Sequence, residues 1–585
     1  MTTITKGRGR RLVAALLTGA AVLAATGCVQ MPEDGPVVES GSGGDLDEPR
    51  PIAIDPRPPQ PGAPAVDIVE GFLQAMQATP VQTNAARQFL AEDAQAVWDP
   101  EAETITYDDY TPQGELEVSV TLSGGVRLDG RGSYRGRLAA QRTVEFPMTR
   151  EDGEWRIARA PDALIVPEWW FAQRFRQVSI YFFDPTAGIL VPEPVFAPRG
   201  DQLATALTSA LLAGPEPGLR RVEQSFIPPG LTSGLSVPVS DAGVADLTLN
   251  GQAGRLTPQA SELMLAQFAW TLRQEPSIET LRVTIDGEPV TLPGGISLFD
   301  VDDVGAAYDP SVLDASAFLY GLRDGLLVSG PPDGLAVVEG PMGTDEQGIR
   351  SVAVSLNATR AAGIARAGDR VLVASVRGPG GRVQEVVSGA RNLLRPSWDF
   401  SDRLWLVDNA RGGAVISHLE GTRPVPIDVP GISGRRVTHV TVSRDGSRLV
   451  AVVRRPGMDR LMVSRITHNG QGRAVTATPA RRIAWEGESG LRVLDLAWNS
   501  PTSVAVLHRL AEDLSQVRIL SVDGAPADLD GLLTTLPGRV LALAGSPAEA
   551  ESLYAVTNTE LMDLTRGSSA SAQLDPRVGQ IDYVG

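Results

Sequence analysis

From about residue 312 onward one short pattern recurs: an apolar strand, a polar turn and a second apolar strand. Trp398-Asp399-Phe400-Ser401-Asp402-Arg403-Leu404-Trp405-Leu406-Val407 superposes without gaps on Trp498-Asn499-Ser500-Pro501-Thr502-Ser503-Val504-Ala505-Val506-Leu507, and residues 442–450 repeat the element. Val354 and Ala544 anchor two further copies, so successive anchors stand 44, 44, 56 and 46 residues apart. Such intervals match the ~40–50 residues of a β-propeller blade, and a repeat of two helices is disfavoured by the strand alternation. Residues 316–347 carry blade-like strands with no anchor ahead of them, while residues 580–584 form an alternating strand about one step after Ala544. A ring must pair its first and last segments or keep open edges. The spacing therefore predicts a six-bladed all-β propeller over 312–585, with 580–584 completing the first blade.

The other end of the chain constrains where the protein resides. Lys6, Arg8, Arg10 and Arg11 precede an apolar stretch, residues 12–25, which is of signal-peptide length and short for a bilayer span. Small residues Ala25, Thr26 and Gly27 lead directly into Cys28, the only cysteine, which excludes any intramolecular disulfide. This resembles a bacterial lipobox with Ala25 where Leu is usual, and it predicts that residues 1–27 are removed and Cys28 is lipidated. The mature chain then has 48 basic against 70 acidic residues, a formal charge of −22. Such a surface repels nucleic acid and anionic headgroups. Residues 28–65, with Gly41, Gly43 and Gly44 and five prolines between 56 and 64, read as a disordered tether reaching up to about 100 Å.

Two mixed units separate tether from propeller. Over 66–165, Ile68, Val69, Phe72, Leu73 and Met76 repeat at helical spacing, as do Phe89, Leu90, Ala94, Val97 and Trp98 in a second helix. Leu116, Val118, Val120 and Leu122 alternate as a half-buried strand, and Asp152-Gly153 turns into a strand with Trp155 and Ile157. Two helices and a curved antiparallel sheet resemble a nuclear-transport-factor-like α+β cone. Over 170–295, the spacing predicts a strand at 178–183 and a helix at Leu203–Leu212 ended by Gly214-Pro215. A second helix opens at Thr257-Pro258, and a strand carries Leu281, Val283 and Ile285. Residues 211–215, 225–230 and Ile285-Asp286-Gly287, in that order, resemble the α/β GerMN module. Loss of helical periodicity after Pro293-Gly294-Gly295 predicts a two-unit head separable from the propeller near 290–312.

No catalytic residues stand out. There is no Gly-x-Ser-x-Gly elbow and no P-loop, and Gly378-Pro379-Gly380-Gly381 lacks the third glycine of a dinucleotide fingerprint. His418, His439, His468 and His508 are the only histidines; none has metal-ligand spacing, and each reads as a core or loop residue. Without a base beside a nucleophile, covalent catalysis has few candidates. Asp300, Asp302 and Asp303 lack the glycine and distal Glu of a calcium loop and read as surface. Asp108 and Asp109 read as a solvated turn. Trp169, Trp170 and Phe171 read as packing between the first two units. No cofactor or metal site is expected.

Lipobox, Pro-rich tether, cone, GerMN-like module and propeller, with Ile68-Val69-Glu70-Gly71-Phe72-Leu73 and residues 211–215, together resemble the actinobacterial LpqB lipoprotein family over essentially the whole chain. The resemblance implies a non-enzymatic lipoprotein on the extracytoplasmic face of the cell membrane. Its implied partner is the sensor histidine kinase MtrB, with effects on MtrA–MtrB signalling, envelope homeostasis and cell division. A cell-wall or envelope-binding scaffold without direct kinase contact is the other class of function.

Overall fold

Ile68, Val69, Phe72 and Leu73 bury one face of the helix Ala65–Ala75, as their spacing requires. Phe72 packs against Trp98 and Phe146 at ring-centre distances of 5.2 and 6.0 Å. Gly71 lies against the Phe89 ring, where a Cβ would collide, which accounts for the glycine inside this apolar run. The computed structural model describes residues 56–585 apart from 79–80, 312–314, 379, 486–489, 527–532, 548–552 and 566–570. Cys28, the signal segment and most of the expected tether lie outside the described residues. Near the tether's end, Gly62 N donates to Glu154 Oε2 at 2.7 Å, so the chain is already held to the first unit there.

The second helical stretch differs from its expected form. It is divided into Asn84–Arg87 and Glu92–Val97, with Phe89 and Leu90 buried between the two helices and Val97 77% exposed. The strands form two sheets. One orders Tyr134–Arg137, Val126–Asp129, Glu103–Tyr107 and Leu164–Pro167, the last two parallel; the other orders Asp109–Gly114, Glu117–Ser123, Arg142–Glu151 and Glu154–Ile157. Only Asp108 separates Glu103–Tyr107 from Asp109–Gly114, so the chain changes sheets at that residue. Val118, Val120 and Leu122 are fully buried, whereas Leu116 precedes the strand and is 75% exposed.

A long hairpin follows, Phe175–Phe183 paired with Leu190–Pro198 over nine positions. Beyond it, Val244–Asn250 and Thr280–Ile285 run parallel, joined by the helix Pro258–Leu272, since parallel neighbours need a crossover. Thr257 caps that helix by accepting from Ala260 N at 3.2 Å, and Pro258 occupies its first turn. Leu203–Leu212 and Pro258–Leu272 bury Leu207, Leu211, Met264 and Phe268 against this sheet and the hairpin.

Among the described residues, the strands from Leu319 onward form six consecutive antiparallel sheets. Five begin with the strands Ile349–Val354, Ser397–Trp398, Val437–Val442, Val493–Ser500 and Ala542–Gly545, which contain the sequence anchors. The other consists of Leu319–Arg323, Leu326–Gly330 and Ala336–Val337, with Val578–Asp582 as its fourth strand. Val578–Asp582 touches both Ala542–Gly545 and Ile349–Val354, and the other starting strands touch in order, closing a propeller-like ring. Trp398 Nε1 donates to Ala353 O at 3.2 Å and Trp498 Nε1 to Val442 O at 3.0 Å, so each anchor tryptophan grips the preceding sheet. The irregular interval of 56 has a cause. In the fourth sheet the long strand Asp459–His468 pairs with both Ala474–Ala477 and Arg481–Ile483, so that repeat carries an extra strand.

Candidate functional site

The hairpin Phe175–Phe183/Leu190–Pro198 sets Glu193 into an otherwise apolar strand and lays it on the fourth sheet of the ring. There Arg448 and Arg465 are directly opposed across Arg448–Arg454 and Asp459–His468. Two like charges in that register repel. Glu193 resolves the conflict: its Oε1 lies 2.8 Å from Arg448 Nη2 and 2.6 Å from Arg465 Nη1. Arg448 Nη2 also donates to Pro192 O at 2.5 Å, Arg448 Nη1 lies 3.7 Å from Asp445, and Arg465 Nη2 lies 3.3 Å from Glu223 Oε2.

Burial alone would raise the Glu193 carboxyl, but the guanidinium groups of Arg465 and Arg448 overcome it and hold the group at about 2. Glu223, 1% exposed, goes the other way: burial and then the charge of Glu193 push it well above the usual carboxylate range. Burial and the neighbouring Glu193 charge thus both favour the protonated form of Glu223.

The first unit joins the same junction. Gln202 both accepts from Val81 N (3.0 Å) and donates to Val81 O (2.9 Å). Phe196 N donates to Gly132 O at 2.8 Å, Arg135 pairs with Glu216 at 3.1 Å, and Ala525 of the ring packs into the first core. Gln177 Nε2 reaches Ser521 and Asp523, each at 3.1 Å, and His468 N donates to Arg221 O at 2.8 Å. Where the three meet is a cleft of about 420 Å³ lined by Tyr134, Arg135, Phe182, Glu223, Arg481 and Asp523. Burial raises both Tyr134 and Asp523. The head expected to separate from the ring is instead clamped to it by a buried ionic cluster.

The residues singled out from sequence form no common site, although His418 and His468 lie close enough to repel one another beside Arg403. The four histidines occupy different places in the ring, each with its pKa lowered by burial, His468 to about 4 with Arg403 Nη1 3.1 Å from its Nε2. Among the described residues no group of three His, Cys, Asp or Glu side chains is placed to hold a metal ion. Asp300 accepts from the backbone of Asp302 and Asp303 in an exposed turn. Trp170 is buried with Nε1 donating to Gln77 O at 3.1 Å, and Phe171 stacks on Phe175 at 4.6 Å. Trp169 is 55% exposed, because three consecutive residues of the helix Glu168–Arg174 cannot share one face. Asp108 and Asp109 are exposed, with Asp108 next to the Glu168 carboxyl, which burial and Asp108 push up. Sequence reasoning missed Glu193, Glu223 and Arg465, and took in Arg448 only as one residue of the repeat at 442–450. The available signal was a lone Glu in an apolar nine-residue strand, Leu190–Pro198.

Three family models match the chain: the lipoprotein LpqB N-terminal domain over residues 58–172, a sporulation and spore germination family over 179–291, and the lipoprotein LpqB beta-propeller domain over 325–572. Lipoprotein LpqB of Thermobifida fusca is 28% identical, covering 89% of this chain and 91% of its own. That of Cutibacterium acnes is 28% identical, covering 90% and 92%. That of Mycolicibacterium smegmatis is 27% identical, covering 91% and 92%.

Proposed function

We propose, on the premise that this chain belongs to the LpqB lipoprotein family, that it binds the sensor kinase MtrB and modulates MtrA–MtrB signalling in envelope maintenance and cell division. It is an extracytoplasmic, membrane-anchored lipoprotein, with a binding rather than a catalytic role. In this reading Cys28 carries the lipid and residues 28–65 the tether. Residues 66–165 are a cone-like unit, 170–295 the GerMN-like unit and 312–585 a six-bladed propeller whose blades are the six sheets.

The observation that carries the reading is the full-length likeness: the LpqB models flank the middle module in one order, and the relatives align through all three. The clamp at Glu193 supports it, because it makes the three units one block that meets a partner with a fixed face. The test mixes residues 56–585 with the purified extracytoplasmic domain of MtrB. Saturable association, weakened by salt as expected of a strongly acidic partner, supports the proposal. Failure to associate at about 100 μM, with retention on isolated cell wall, replaces it with the scaffold reading.

A further inference from the structure

In each sheet of the ring neighbouring strands are antiparallel. The links from first to second and third to fourth strand therefore lie on one face, and the second-to-third links and the links between sheets on the other. The head covers the first face: Arg448, His468 and Ser521, which it contacts, stand at strand ends there. Part of the second face inverts the charge of the molecule. In a chain of formal charge −18, Arg350, Arg391, Arg411, Arg435 and Arg436 are all exposed on it. Among the described residues none of the five has a carboxylate within ion-pair distance.

Hydrogen bonds string the five across the second, third and fourth sheets. Arg350 Nη2 donates to Asn392 Oδ1 at 2.9 Å and to Leu393 O at 2.6 Å, beside Arg391. Asn409 N donates to Asn392 O at 3.1 Å, next to the hairpin turn that carries Arg411. Past that turn Ala414 N donates to Arg435 O at 2.7 Å, and Arg454 N donates to Arg436 O at 2.8 Å. The segments carrying these residues fall within 315–378 and 380–485, which are described throughout. Neighbouring carboxylates are committed: Asp408 accepts from the backbone N of Arg391 and Asn392, at 3.0 and 2.7 Å. Glu346 pairs with Arg366, Asp369 with Arg370, and Asp459 with Arg454 and Arg492. Beside the turn runs a largely apolar groove of about 510 Å³, lined by Gly412, Gly413, Val415, Pro426 and Gly434, with Val415 48% exposed. Asp428, also in its lining, is exposed and offsets one of the five charges.

We propose that this face binds an acidic, partly apolar polypeptide segment of another protein, with carboxylates on the arginine row and an apolar side chain in the groove. The guanidinium fork matches the two oxygens of a carboxylate. A row of cations also steers and holds a chain whose negative charges are spread along its length. The groove decides between polyanions. A phosphate polymer has no apolar group to lay on Val415, and a flat lipid surface does not enter a groove. This inference is independent of the MtrB reading above, since it concerns the chemistry of a segment, whichever protein supplies it.

The experiment titrates the full ectodomain at low salt into a fluorescent peptide of about twelve residues repeating Glu-Asp-Leu, followed by anisotropy. Saturable binding with Kd on the order of 100 μM supports the proposal. So does weakening of at least about tenfold in the double variant Arg411→Gln, Arg435→Gln. The double variant Arg509→Gln, Arg539→Gln removes equal charge from exposed positions beside the fifth sheet and is expected to leave Kd within about twofold. A peptide with Ser in place of Leu is expected to bind at least about threefold more weakly. No binding at about 1 mM, indifference to Arg411 and Arg435, or equal binding of the Ser peptide would each overturn the proposal. Tighter binding of inorganic polyphosphate or of phosphatidylglycerol vesicles through the same two arginines would overturn it as well.

Discussion

Arg448 Nη2 and Glu193 Oε1 stand 2.8 Å apart although 255 residues separate them in the chain. Because Arg465 shares the same carboxylate, removing it strands two opposed guanidinium groups. Glu193→Gln is expected to cost about 3–5 kcal/mol, the usual result of leaving a buried charge unpaired. Glu223→Gln places a neutral donor where burial and Glu193 favour the protonated acid, and is expected to cost less than ~1 kcal/mol at neutral pH. Urea unfolding of the two variants checks the contrast; equal costs would show that Glu223 is ionised.

The same cluster decides what happens when the connecting segment is cut. A protease site inserted within 293–298, where Ile296 and Leu298 are exposed, allows nicking after folding. The fragments should co-elute under native conditions and separate in denaturant. Release of a free head after nicking would mean that the clamp does not hold the halves together.

Acid should weaken the fold in an ordered way. Burial disfavours the charged form of all four histidines, so below pH 6.5 the unfolded chain takes up protons that the native chain refuses. For His468, stability is full above 6.5, is lost as pH falls to about 4, and stays lost below; the loss is ~3 kcal/mol. Glu193 adds a second loss between about 4.5 and 2. The raised carboxyls of Glu223, Asp495 and Asp523 act in the opposite direction over this window, so the histidine effect is read as a difference: urea midpoints from pH 7.5 to 4.5 should fall less, or rise more, in His468→Gln than in the unaltered protein. Identical pH profiles of the two proteins would rule this out.

Ring closure rests on few side chains. Ile581 is 1% exposed on the strand that completes the first sheet, and Ile581→Ala is expected to cost about 2–5 kcal/mol. Val475→Ala, at a half-exposed position in the fourth sheet, should change stability by no more than ~0.5 kcal/mol. A matched pair of melting curves distinguishes them.

Cys28→Ala tests the anchor. The expected outcome is release from membranes or accumulation of uncleaved precursor. Ordinary membrane fractionation of a fully processed Cys28→Ala protein would remove the lipid from the account.

Local signals in the chain proved readable. Val354, Trp398, Val442, Trp498 and Ala544 lie in the starting strands because apolar residues at the end of a strand, followed by a polar turn, carry their pattern within about ten residues. The capped helix Pro258–Leu272 was legible for the same reason. Val97 and Leu116 misled, since periodicity marks a face without saying whether anything covers it. The clamp was invisible because Glu193, Glu223, Arg448 and Arg465 become buried only through contact between segments distant in sequence. Arg448 sits in a stretch whose polarity argues for solvent, and nothing local reveals that a hairpin lies on top of it.

The strand Val578–Asp582 belongs to a sheet whose other members begin at Leu319. A chain threaded through a translocase amino end first therefore emerges with that sheet lacking its inner strand. More than two hundred residues must follow before the vacancy is filled. Until then the free edge of Leu319–Arg323 leaves a ladder of backbone donors and acceptors open to any passing strand. Completion of the first sheet therefore waits on the pairing of Val578–Asp582 with Leu319–Arg323.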